Sequence, residues 1–154
     1  MSLIARIMYR ALVWKERQRA LRENGVAGEG FSKAQHLATG QRGETLAYWY
    51  LRRAGYTIVA RNRPARSGKG EVDMVAWDGP VLAFVEVKTR TSEEGGRPEE
   101  AVSRAKQQRI TKVAREYLRR LRRRPVNYRF DIVSVSWHPK AGCQVRLIKD
   151  AFKA

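Results

Sequence analysis

Three charged residues interrupt two short apolar runs between Gly70 and Arg90. Asp73 breaks GEVDMVAWD, and Glu86 and Lys88 break FVEVKTR. Side chains alternate along a strand, so Glu86 and Lys88 share a face, about 6.6 Å apart. A turn at Asp78 and Gly79 folds the two runs into a hairpin and brings Asp73 to that face. Two carboxylates without a cysteine cluster suit a hard divalent ion, magnesium or manganese. Asp73 and Glu86 can share one ion, with the carbonyl of Val87 as a third oxygen. Such an ion acidifies water and neutralises charge on a phosphoryl group. Lys88 is placed to orient the attacking water or to stabilise a pentacoordinate transition state. As a base it would need a lowered pKa, which the neighbouring carboxylates oppose. A purely structural alternative is a buried Glu86–Lys88 salt bridge with Asp73 in a turn. Buried ion pairs give little net stability over apolar residues, so this alternative has a weak motive.

The chain has 154 residues, enough for a single domain with a real core. Thirty-two Lys and Arg against fifteen Asp and Glu give a net charge of +17, and a long polyanion is the natural partner. Arginine predominates, and its fork suits phosphate. A glycosidase-like carboxylate pair would leave this surface without a role. A basic protein that binds nucleic acid or acidic lipid without chemistry is compatible with the same composition. Cys143 is the only cysteine, which excludes an intramolecular disulfide and a cysteine-based zinc site and fits a reducing cytoplasm. No apolar run reaches the roughly 20 residues that span a membrane.

The elements that must position the charges follow from periodicity. Residues 1 to 23 read as a helical arm with an apolar stripe of Leu3, Ile4, Ile7, Met8, Ala11 and Leu12 among arginines. Such an arm can pack on the domain, a partner subunit or a membrane surface. Residues 24 to 38, with Gly25, Gly28 and Gly30, read as a linker, so 1–38 form an arm and 39–154 the domain. A second helix spans residues 39 to 54, with Thr39 as a candidate cap. Glu44 lies on its apolar side, with Ala47 and Leu51; an exposed first-turn glutamate is the plain alternative. A strand from Tyr56 to Arg61 leads into a basic loop that ends at Gly70. Thr91 to Glu100, with Pro98, reads as a surface loop. A helix at residues 99 to 121 carries Lys106 or Gln107 at the edge of its inward face. From Arg104 to Arg124 there are ten basic residues and one acidic residue, Glu116. Candidate nucleic-acid contacts are Arg61, Arg63, Arg66 and Lys69 in the loop, Arg90 after the hairpin, and Lys106, Arg109 and Lys112 on the helix. Strands at Tyr128–Trp137 and Gln144–Ile148 complete a mixed sheet with helices on its faces, an α/β three-layer domain.

Asp73 and Glu86-Val87-Lys88, after a helical Glu44, resemble the PD-(D/E)XK nuclease superfamily, and the order of elements matches its core. The branch resembled is the archaeal-type Holliday junction resolvases. More narrowly, GQRGETLA, GEVDMVAWD, FVEVKTR, AVSRAKQQRI and YRFDIVSV, in that order from Gly40 to Val135, resemble the bacterial YraN family. The resemblance implies a restriction-endonuclease-like fold and a magnesium- or manganese-dependent endonuclease acting on DNA, including branched DNA. Asp73 and Glu86 would hold metal, Lys88 would stand beside the water, Glu44 would support them, and Lys106 or Gln107 would be the auxiliary residue. Val72 stands where the superfamily usually has proline. A resolvase would act as a homodimer, because a junction offers two symmetric cuts. The other reading is a nucleic-acid-binding protein that keeps the nuclease fold without turnover.

Overall fold

The hairpin forms between strands β2 (Glu71–Asp78) and β3 (Val81–Thr91). In this computed structural model the described residues are 2–23, 33–66, 68–91, 102–138 and 142–154. The turn residues are Gly79 and Pro80, one step later than expected. Gly79 takes φ 57°, which a glycine at the first turn position tolerates without strain. The pairing is antiparallel, from Asp78↔Val81 to Met74↔Val85. Strand β1 (Thr57–Pro64) pairs antiparallel with β2 on its other side. It ends three residues later than expected, so Arg61 and Arg63 lie on an edge strand opposite Met74 and Val72. Pro64 ends it, as suits an edge strand. Strands β4 (Asn127–His138) and β5 (Gly142–Phe152) complete a five-stranded mixed sheet in the order β1-β2-β3-β4-β5. Among the described residues, helices α1 (Leu3–Glu23), α2 (Lys33–Arg53) and α3 (Arg104–Arg120) accompany it, giving the three-layer α/β class. The glycine-rich part of the linker, most of the Thr91–Glu100 loop, residues 99 to 101 and the turn after His138 lie outside the described residues.

The described residues group into two compact units, within 1–55, 87–95 and 134–146, and within 56–86, 96–133 and 147–154. The second unit holds the aromatic core. Val75, Leu82, Phe84, Ile110, Val113, Ala114, Phe130 and Ile132 are buried together. Phe84 meets Tyr117 edge-on at 5.9 Å between ring centroids, and Phe130 stacks on Phe152 at 4.8 Å. Helix α3 starts at Ser103, whose hydroxyl accepts from the Lys106 amide at 3.3 Å.

Beside that core lies a buried ionic network. Asp131 is fully buried, and Arg129 donates to it from Nε at 2.8 Å. The same guanidinium reaches Asp78 at 2.6 Å and the Tyr56 hydroxyl at 2.8 Å, and Lys149 reaches Asp78 at 2.7 Å. Asp150 adopts φ 54°, and its amide donates to Asp131 at 3.0 Å. Four strands or their ends are thereby tied through one carboxylate and one guanidinium. Burial alone would raise the Asp78 carboxyl, but hydrogen bonds from Lys149 and Arg129 outweigh it and hold the group below its ordinary value.

In the first unit, α2 starts at Lys33, inside the expected linker, and Thr39 lies within the helix rather than capping it. No glycine or proline stands between Lys33 and Gly40 to stop it. Helix α1 is not a free arm, because it docks on α2. The expected apolar stripe does not make the contact: Leu3 is 69% exposed, Ile4 66% and Ile7 57%. The docked side carries Ala5, Tyr9 and Glu16. Tyr9 meets Tyr50 edge-on at 5.6 Å, and Arg53 lies 4.6 Å over the Tyr9 ring. Arg42 grips Glu16 with both arms of its fork, and the Trp137 indole donates to Glu16 at 3.1 Å. Burial raises the Glu16 carboxyl, but these hydrogen bonds more than offset it, so its pKa is lowered. Further along, α2 closes on β3 at Gly43: a Cβ there would stand 2.1 Å from Thr89 Oγ1.

Three outcomes follow. Replacing Arg129 by alanine leaves Asp131 buried without its guanidinium and should cost about 3–5 kcal/mol in urea unfolding. A carboxyl with a lowered folded pKa contributes stability above its unfolded value, near 4.3 for Glu, and loses it as pH falls through the folded value. Glu16→Gln should therefore lower stability at pH 7 and flatten its loss between about pH 5 and 3. Gly43→Ala should destabilise by about 1–3 kcal/mol through overpacking. Thr89→Ala in the same chain should recover part of that loss in a double-mutant cycle.

Candidate active site

The acidic half of the site belongs to the second unit. Asp73 and Glu86 each stand one residue beyond the last aligned pair, Met74↔Val85, at the same end of the β2–β3 pairing. Glu86 follows the parity of Leu82 and Phe84, whose side chains lie in the core beneath α3. Both carboxylates are buried, Glu86 to 3% exposure and Asp73 to 9%. Like charges facing each other across neighbouring strands repel, and burial removes the water that would screen them. Lys106 answers part of that repulsion. Its ammonium lies 3.2 Å from Glu86 Oε1.

Helix α3 places Lys106 there by rotation. Ile110, Val113 and Ala114 are buried, and Lys106 sits one turn before Ile110 on the same side. The neighbouring Gln107 turns about 100° away. Its amide donates to the carbonyl of Val102 at 3.0 Å, so of these two residues it is Lys106 that the structure brings to Glu86. Arg109 supports the approach to β2. The backbone at Gly70, with φ 105°, passes so close that a Cβ there would lie 3.1 Å from Arg109 Cβ. The amide of Arg66 donates to Glu116 at 2.9 Å, and Arg63 lies 6.0 Å from the centroid of Tyr117. The basic segment is thus fastened to α3 at both ends, while Arg61, Arg63, Arg66 and Lys69 remain exposed.

Val87, Lys88, Arg90 and Glu44 belong to the first unit. Val87 and Lys88 follow Glu86 directly on β3 and are half-buried, as is Arg90. Glu44 is half-buried on α2, one residue after the Gly43 that presses on Thr89 of β3. Burial pushes the Cys143 thiol up to about 11, which disfavours the thiolate.

Among the described residues no three His, Cys, Asp or Glu side chains gather into a metal-holding group. Two neighbouring carboxylates suit magnesium or manganese, because magnesium keeps several waters and takes one or two carboxylates together with substrate phosphates.

One feature was foreseen only in part, through the basic residues of α3. The outer side of α3 and the chain end at Lys153 enclose a groove of about 500 Å³, lined by Arg104, Lys112, Arg115 and Arg119 among others. The spacing of those four is legible in the sequence, but the C-terminal wall comes only with the packing of β5.

Residues 43–135 match the model of the Uncharacterised protein family UPF0102, the YraN family. A UPF0102 protein of Syntrophus aciditrophicus is 46% identical over 123 residues, covering 80% of this chain and 94% of that protein. One from Symbiobacterium thermophilum is 48% identical over 115 residues, covering 75% of this chain and 96% of the relative. A third, from Rhodococcus opacus, is 44% identical over 119 residues, covering 77% and 99%. With the five motif stretches in order and the match running from Gly43 of α2 to Val135 of β4, this chain belongs to the UPF0102 family.

Proposed function

We propose that this protein is a metal-dependent endonuclease that hydrolyses phosphodiester bonds in DNA, branched DNA included. The observation that carries the reading is the pair of buried carboxylates, Asp73 and Glu86, at one end of the β2–β3 pairing in a chain of net charge +17. Burial without a cationic occupant is costly, and a polyanion brings its own divalent ions. Asp73 and Glu86, with the carbonyl of Val87, would hold a magnesium or manganese ion, which would neutralise phosphoryl charge and acidify water. Lys88 orients the attacking water, and Glu44 supports the carboxylates. Lys106 holds Glu86 in place and lends positive charge as charge develops on the phosphoryl oxygens. Water attacks phosphorus in line, the bond to the 3′ oxygen breaks, and that oxygen takes a proton from solvent. The products are a 3′-hydroxyl and a 5′-phosphate. Arg61, Arg63, Arg66 and Lys69 hold the backbone of the strand to be cut. Cutting a junction at symmetric positions calls for two copies.

One observation favours the second reading, a nucleic-acid-binding protein without turnover. Lys106 already neutralises Glu86, as a resident cation would in a site that no longer binds metal.

The full chain with manganese separates the two. Asp73→Asn and Glu86→Gln should each lower cleavage of duplex or junction DNA at least about a hundredfold while leaving DNA binding intact. Lys88→Ala should cost about a hundred- to a thousandfold. Titration calorimetry should show manganese binding that both carboxylate variants lose. DNA binding with no products and no manganese binding would establish the non-catalytic reading instead.

A further inference from the structure

We propose that the groove outside α3 is a second nucleic-acid site, which holds a segment of backbone separate from the strand at Asp73 and Glu86. The inference rests on the nucleic-acid reading above and deepens it. Around α3, Arg104, Gln108, Lys112, Arg115 and Arg119 fall within about 80° of one another, and Lys106 lies about 160° from their centre. Lys106 faces Glu86 at 3.2 Å, whereas the other five line the groove of about 500 Å³. The cations of α3 are therefore two sets, back to back. Lys106 faces the acidic pair, and Arg104, Lys112, Arg115 and Arg119 look away from it across the width of a helix. A strand lying in the groove cannot also lie over the carboxylates.

The groove's chemistry selects its occupant. Arg104, Lys112, Arg115, Arg119 and Lys153 supply positive charge, and Gln108 adds amide donors. Arg104 to Arg119 extends about 22 Å along the helix, the length of several successive phosphates rather than of one small anion. The surface is concave, which admits a phosphodiester strand and disfavours a flat bilayer. Guanidinium forks match phosphate oxygens in pairs. Among the described residues, the acidic neighbours are occupied: Glu116 accepts the Arg66 amide, and Asp150 pairs with Lys153. A protein with two back-to-back backbone sites is suited to nucleic acid that presents two segments at once, as a branch does and a short linear duplex does not.

The test is the salt dependence of binding, measured by fluorescence anisotropy with the full chain, without divalent ions, on a four-way junction and on a linear 20-base-pair duplex chosen as probes. The wild-type chain should prefer the junction. The combined variant Arg104→Gln, Arg115→Gln, Arg119→Gln keeps good helix formers on an exposed face, and circular dichroism checks that it folds. On the junction its log-log salt slope should be shallower by about 2 to 3, because each lost phosphate contact removes about 0.9. Junction affinity should fall about tenfold or more while duplex affinity changes by less than about threefold. An unchanged junction slope overturns the inference, as does an equal shift on both probes, or loss of phosphatidylserine vesicle binding with both DNA curves in place. Failure of the nuclease reading would show differently, as intact wild-type binding with no cleavage in manganese.

Discussion

Two carboxylates buried on adjacent strands set the terms for everything around them. Neighbouring carboxylates in a dry sheet repel each other, and positive charge close by offsets that repulsion. The molecule supplies it from α3, and it can do so only because that helix is held in one rotation. Ile110, Val113 and Ala114 fix the rotation, Phe84 and Tyr117 fix the depth, and Ser103 fixes where the helix starts. The aromatic core of the second unit is therefore also the mounting of the acidic pair. Loss of packing there would move Lys106 away from Glu86 before it unfolded the domain.

The Arg129–Asp131 network plays a similar part at the other end of the strands. It ties Asp78, at the hairpin end of β2, to β4 and to the start of β1. A hairpin fastened at its turn has a defined register at its far end, where Asp73 and Glu86 stand. One residue of slip between the two strands would put the carboxylates on opposite faces of the sheet. The network also accounts for the left-handed backbone at Asp150, which turns an amide toward the Asp131 carboxylate.

Much of this was legible in the sequence. The strand alternation placed Glu86 and set Asp73 beside it, and the element order gave the α/β class. The choice between Lys106 and Gln107 was not legible, because both stand at helical spacing before Ile110, four and three residues away. What could not be read was governed by long-range partners. Glu16 looks like an ordinary charge on a basic helix, yet it is the buried anchor of α1, gripped by Arg42 and by Trp137, 121 residues away. The stripe of Leu3, Ile4 and Ile7 promised the docked face and is the outward one, because the helix followed its ion pair rather than its apolar side. Helix α2 begins before Thr39 because nothing between Lys33 and Gly40 breaks it, and the eye stops too readily at a good cap.

That outward face bears on how the protein behaves in bulk. Leu3, Ile4, Ile7, Trp14 and Leu21 are all more than half exposed on α1, which lies outside the residues that match the family model. A net charge of +17 keeps copies apart at low ionic strength despite this greasy ridge. At 1 M salt the Debye length shrinks to about 3 Å, and long-range repulsion no longer guards the ridge. Colloidal stability thus hangs on ionic strength rather than on folding. A polyanion that neutralised this charge would also bring copies within sticking distance.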